Sequence, residues 1–387
     1  MQILSHYRSR GALCKILAVL QIKKARKGIR MNARNKFVIC FLLVLFVPCF
    51  AAAQTYTVTD LGVLPGDSSS LAYFVNSSGQ ITGCSDNSTS QSTLCQGDSP
   101  SDAFLWSSSS SSMVGLGNLP GFDASVGITV NDSGQVIGFS ENVQTGTYYG
   151  FVWTQSGGMV ELSPLPGGTT SLAAANNNNG VIVGYSSVSN GDVHTVVWTS
   201  SGATYQIKDL GILPGAPYTY AYDINESLQV VGEAYNPSGT RYTAVLWSTA
   251  TGWKNLGALG VGQNSIADWI NDRGVAVGAS TTAQNPNGVA VYWDTSEKIH
   301  NLGTLPGGTQ SYAGGMNNLG QIVGESTVPG GALHACIWQT GGLQDLNNLI
   351  PANSGWVLNH ASSINKAGQI SGFGTINGAT HGFLLTP

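Results

Sequence analysis

Carboxylates, histidines and cysteines are the side chains in this sequence that could do chemistry, and their placement narrows what that chemistry is. Cleavage of a glycosidic bond needs two carboxyl groups about 5–10 Å apart. Of the 20 Asp and Glu, Asp223 and Asp268 stand out because they interrupt two columns of a repeat set out below. Asp223 aligns with Phe74, Thr129, Ala175, Trp269, Gly315 and Ser363, and Asp268 with Tyr73, Ile128, Ala174, Tyr222, Gly314 and Ser362. The two columns are adjacent along one strand and are expected to alternate to its opposite faces. Roles as channel-lining or salt-bridged residues explain both acids more cheaply than catalysis. No catalytic residue is assigned, and if the chain is an enzyme these two are the first to inspect.

The other reactive side chains carry less. His194, His334 and His381 share one repeat position. Equivalent positions on separate repeats lie too far apart to share an ion, so structural hydrogen bonding is expected and no metal site is assigned. His300 and His360 are isolated and carry no signal. No Cys-x-x-Cys pair, calcium loop, phosphate loop, dinucleotide fingerprint or Ser-His-Asp order occurs in a fitting context, so no cofactor is expected. Cys84 and Cys95 bracket one Ser/Thr/Gln-rich loop and are expected to close it as a disulfide. Cys336, within Ala335-Cys336-Ile337-Trp338, reads as a small buried apolar residue.

Whatever chemistry exists must be positioned by a repeat. Trp106, Trp153, Trp198, Trp247, Trp293 and Trp338 recur at spacings of 47, 45, 49, 46 and 45, and a further step of 47 reaches Leu385. Asn76, Asn131, Asn177, Asn225, Asn271, Asn317 and Asn365 form a second ruler, with spacings of 55, 46, 48, 46, 46 and 48. Each copy holds four strand-like pieces, a to d. Piece a ends in Asn-x-x-Gly, as at Asn131 to Gly134, where Asn opens a turn and Gly accepts a left-handed backbone. Piece b reads Gln-Val-Ile-Gly, piece c carries the Trp, and piece d ends in Leu-Gly before a Leu-Pro-Gly turn. Asn76, Asn131 and Asn225 formally match glycosylation sequons, but the turn reading takes precedence. The Trp column is a large apolar contact between copies. Trp356 falls in an insertion and is expected to plug the closing copy.

A period of 40–50 residues with four strands per copy predicts an all-β fold, a seven-bladed β-propeller of four-stranded antiparallel blades. Copy seven lacks piece d, while a surplus d-like strand, residues 55–61, precedes the first a strand. Joining them closes the ring and removes both exposed sheet edges. The Asp-Leu-Gly-x-Leu-Pro-Gly, Ile-Asn-x-x-Gly-Gln and Ala-Phe-Leu-Trp strings resemble the HAF family of bacterial extracellular repeat proteins over residues 55–387. The naming triplet is degraded, as at Asp102-Ala103-Phe104 and His381-Gly382-Phe383. The resemblance implies export and a repeat architecture and assigns no chemistry.

Charge and targeting agree with export. Ten of the 16 Lys and Arg lie at or before Lys36, while all Asp and Glu lie at or after Asp60. The downstream chain therefore holds six basic residues against 20 acidic ones, net −14. Such a surface disfavours nucleic acid and membrane surfaces as partners. Phe37 to Phe50 is an apolar run too short to span a bilayer easily, preceded by Arg34 and Lys36 and followed by Ala51-Ala52-Ala53. Residues 31–53 are read as a signal peptide cleaved near Ala53, residues 1–30 as a misassigned upstream start or a long n-region, and 54–387 as one domain. The b–c and d–a loops share one face and carry the long variable segments, Ala234 to Tyr242 among them. The expected function is a secreted, monomeric, non-enzymatic module that binds an extracellular glycan or protein on that face. A polysaccharide-cleaving hydrolase or lyase and a purely structural matrix protein are the alternatives.

Overall fold

The computed structural model describes residues 55–87, 95, 101–202 and 204–387. The expected signal peptide, the residues before it and much of the loop between Cys84 and Ser101 lie outside these. Each copy forms an antiparallel a-b-c-d meander, as in Ala124–Val130, Val136–Asn142, Thr147–Thr154 and Gly158–Leu162 of the second copy. Every copy packs against the next and the first packs against the last, so the chain is a closed β-propeller. Where the repeat predicts seven separate sheets, the structure has five of four strands and one of eight. The eight-stranded sheet holds the third and fourth copies, fused by one parallel pair, Val193 with Tyr218.

Closure follows the expected route. Thr57–Asp60 pairs antiparallel with Ala379–Thr386, placing Thr57 against Thr386 and Asp60 against Phe383. Tyr56 and Leu61, at either end of this strand, are buried in the cores of the last and first copies.

The Asn column forms a belt around the ring. Each Asn Oδ1 accepts the backbone N–H groups two and four residues on, shaping its own turn; Asn76, for example, receives Ser78 and Gln80. Its Nδ2 donates to the main-chain oxygen of the next Asn, from Asn76 to Asn131, Asn131 to Asn177, Asn177 to Asn225 and Asn225 to Asn271. Asn317 donates to Asn365, and Asn365 donates back to Asn76 at 2.9 Å, closing the circle. One link differs, because Asn271 donates to the Met316 sulfur. These amides are buried, which fits the turn reading over glycosylation.

The third-strand Trp column fills the gaps between copies, with Trp198, Trp293 and Leu385 at most 1% exposed. Trp198, Trp293 and Trp338 each donate their indole N–H to a main-chain oxygen of the preceding copy, at Ser163, Leu256 and Leu302. Trp356 packs edge-on against Phe383, as a plug of the last copy. Cys84 and Cys95 are joined as a disulfide, and Cys336 is a buried free thiol.

Every a strand carries a bulge at the same place. In the fourth copy Ala221 pairs with Gly232 and Asp223 with Val231, leaving Tyr222 as the extra residue. The same skip leaves Tyr73, Ile128, Ala174, Asp268, Gly314 and Ser362 unpaired. A bulge turns the extra side chain away from strict alternation. The expectation that the columns of Asp223 and Asp268 face opposite ways is therefore corrected: both border the axis of the ring. The bulge also explains the Gly of Gln-Val-Ile-Gly, since a Cβ on Gly184 would run into the main-chain oxygen of Leu172. Replacing Gly184 with Ala should cost about 3 kcal/mol. Chemical denaturation checks this, and a loss below about 0.5 kcal/mol would mean the strand yields easily.

Candidate functional site

The axis holds two cavities. One, about 530 Å³, lies at the end bearing the a–b turns and is bordered by the Asn belt and by Asp223. The other, about 360 Å³, lies toward the b–c and d–a loops and is walled by all seven bulged residues, together with Tyr185, Tyr312 and His360. Trp269 borders both. Its ring stacks on Phe74 at 5.5 Å and 22°, bringing the fifth copy against the first across the axis and separating the cavities.

The two acids differ in role. Asp223 Oδ1 accepts the N–H of Ile224, and Oδ2 accepts that of Ile270 in the next copy, both at 2.8 Å. It is a brace between a strands. Asp268 is not used that way. Among the described residues its buried Oδ2 has no hydrogen-bond partner, and neither has the buried Ser362 Oγ in the same wall. Burial, with the nearby Glu233 charge adding to it and Tyr312 opposing it, pushes the Asp268 carboxyl up to about 7. Burial also raises Glu233, against hydrogen bonds from Tyr222 and Tyr235. Tyr222 donates to Glu233 Oε1 at 2.6 Å. Burial raises the phenols of Tyr185, Tyr222 and Tyr312, so they remain hydrogen-bond donors.

His360 completes the wall and was not legible as a site residue. Its Nδ1 meets Glu325 Oε2 at 2.8 Å, and its ring stacks on Phe373 at 5.0 Å. In the tautomer that donates Nδ1–H to Glu325, Nε2 is the acceptor nitrogen. Gly314 leaves room beside that nitrogen, since a Cβ there would sit 3.3 Å from it. The repeat-position histidines behave as expected: His194, His334 and His381 each bond a strand-d Asp, namely Asp209, Asp345 and Asp60. His300 pairs with Asp294 in its own hairpin. Among the described residues no group of three or more His, Cys, Asp or Glu could hold a metal ion.

No protein-family model matches the chain, and no curated protein matches it in sequence. Solved structures do share its fold. An oligogalacturonate lyase in complex with manganese aligns at 13% identity over 87% of this chain and 94% of that one, with a TM-score of 0.56. A streptogramin B lyase aligns at 13% identity over 85% and 97%, with a TM-score of 0.50. A Mycobacterium tuberculosis puromycin-hydrolyzing peptidase aligns at 12% identity over 85% of this chain and 56% of that one, with a TM-score of 0.51. Similarity at this level shows the propeller fold alone. The expectation of a non-enzymatic chain is nevertheless corrected. Solved propellers of this fold include two lyases and a peptidase, so the fold does not argue against catalysis, and Asp268 and His360 both wall one cavity, with Glu325 bonded to His360.

Proposed function

We propose that this chain is an exported, seven-bladed propeller that hydrolyses an uncharged glycan in the axial cavity walled by Asp268 and His360. The seven-blade reading is supported by the eight-stranded sheet, whose two repeat copies are joined by a single residue pair. Export rests on the apolar run before residue 54, on the disulfide and on the HAF-like repeat.

The observation that carries the chemistry is a buried carboxyl group with an unpartnered oxygen in the same small cavity as an imidazole bonded to a carboxylate. In the proposed reaction Asp268 gives its proton to the glycosidic oxygen as the C1–O bond breaks. His360 Nε2 takes a proton from the water whose oxygen bonds to C1, and Glu325 stabilises the imidazolium. Solvent returns both residues to their starting states. Glu233 is a positioning residue, raising Asp268 through its charge. The described walls carry no Lys or Arg, and the downstream chain is net −14, so an uncharged sugar fits better than a uronate.

The test is release of reducing ends from a panel of uncharged polysaccharides, followed by the same assay on His360→Ala and Glu325→Gln. Turnover is expected in the parent chain, with a loss of about 10²–10⁴-fold in His360→Ala. Products bearing an unsaturated sugar would indicate elimination, the other cleavage chemistry, and would overturn hydrolysis.

A further inference from the structure

We propose that the glycan binds with one chain end in the axial cavity and its following sugars along a row of tyrosines crossing the third and fourth copies, so that the chain is cut from its end. This deepens the reading above and rests on the axial cavity being a glycan site.

Three observations carry it. First, Tyr185, Tyr220, Tyr235 and Tyr242 form a continuous row, with successive ring centroids 4.9, 5.9 and 5.5 Å apart. The first two contacts are edge-on, at 86° and 79°, so neighbouring rings do not cover one another's faces. None of these four rings is fully buried. The apolar C–H face of a sugar can lie on such a ring while its hydroxyls bond phenols at the edge.

Second, the outer part of the row borders neighbouring cavities that share lining residues. Tyr312 borders both the axial cavity and a second one of about 330 Å³. Tyr235 and Tyr242 border that second cavity and a third of about 530 Å³, which also meets the exposed Arg241. These neighbouring cavities place Tyr312 and then Tyr235 and Tyr242 in order outward from Asp268. Burial, aided by the nearby Glu233 carboxylate, pushes the Tyr235 phenol up to about 12, keeping it a donor.

Third, the inner end is blocked. The Phe74–Trp269 stack stands between the catalytic cavity and the one beyond it, so a polymer cannot thread the axis. A chain entering from the rim must stop at this floor, which places a terminal sugar beside Asp268.

The experiment is calorimetric binding of β-1,4-, β-1,3- and α-1,4-linked glucose oligomers and of xylose and mannose oligomers to the Asp268→Asn chain, from two sugars upward. Affinity for one series should rise with each added sugar and then level off. Tyr242→Ala should lower affinity for the longest oligomer about tenfold, and Tyr242→Phe should restore it. In the parent chain, early products should be uniformly short. Length-dependent binding without turnover would remove the catalytic reading and leave the tyrosine path standing. Turnover with products of scattered length, or with affinity independent of length, would overturn the path and spare the catalytic reading. No binding by any series overturns the path.

Discussion

Asp268→Asn is expected to lower kcat by about 10²–10⁴-fold while making the folded chain more stable above neutral pH. Both effects come from one displaced proton. The carboxyl is held up to about 7, against an ordinary value of 3.8, chiefly because burial penalises its charged form. Below 3.8 the folded and unfolded chains both carry the proton. Between 3.8 and about 7 only the folded chain holds it, so stability falls as pH rises across that window and then stays low. Asn cannot ionise, so its stability should decline less across the same window. Some decline remains, because Asp223 is also pushed up to about 7. In the parent chain, the proposed turnover should fall as pH rises through about 7 and the acid loses its proton. Melting temperature and kcat, each followed against pH for both proteins, provide the check. An Asn variant with parental turnover would remove Asp268 from the mechanism.

Deleting Thr55–Leu61 should abolish the cooperative thermal transition. The segment supplies the fourth strand of the last sheet and also bonds main chain outside it, from Tyr56 N–H to the Leu349 oxygen and from Leu61 N–H to that of Gly382. Its two buried ends alone are worth about 2–5 kcal/mol each. That is a large share of the roughly 5–15 kcal/mol by which a domain is stable. Loss of the strand also leaves Ala379–Thr386 as an open edge able to pair with other chains. Circular dichroism during heating, together with light scattering, should show a broad transition and aggregation. A truncated chain that stays soluble and melts sharply would mean the circle does not depend on its closing strand.

The ring was readable because it is built from positions that recur. Trp at strand c and Asn at the a–b turn each perform one physical task in every copy, so their spacing reports the architecture directly. The surplus strand and the missing one are likewise visible as text. Two features were not. The fused third and fourth copies depend on a single residue pair, Val193 with Tyr218, which no pattern announces. The inward turn of the Asp268 column depends on a bulge, and strict alternation misplaces any residue beyond one. A trace of that bulge does exist, since the Gly of strand b recurs wherever a carbonyl is pushed toward it.

His360 and Glu325 escaped for a related reason. Neither occupies an aligned polar column, and their meeting is set by the packing of the sixth copy on the seventh rather than by spacing along the chain. Sites made between repeats are assembled from residues that look like noise within each repeat. The unpartnered, buried carboxylate oxygen of Asp268 becomes visible only when the walls are in place.

The pairing of Thr57–Asp60 with Ala379–Thr386 also dictates an order of events while the polypeptide is being made. The first strand of the domain must wait, solitary, until Ala379–Thr386 has left the ribosome. Every shorter nascent chain is a broken hoop with one sticky edge exposed. Slow production, or stalling before Ala379–Thr386 is made, would lengthen the time during which neighbouring unfinished chains can fuse.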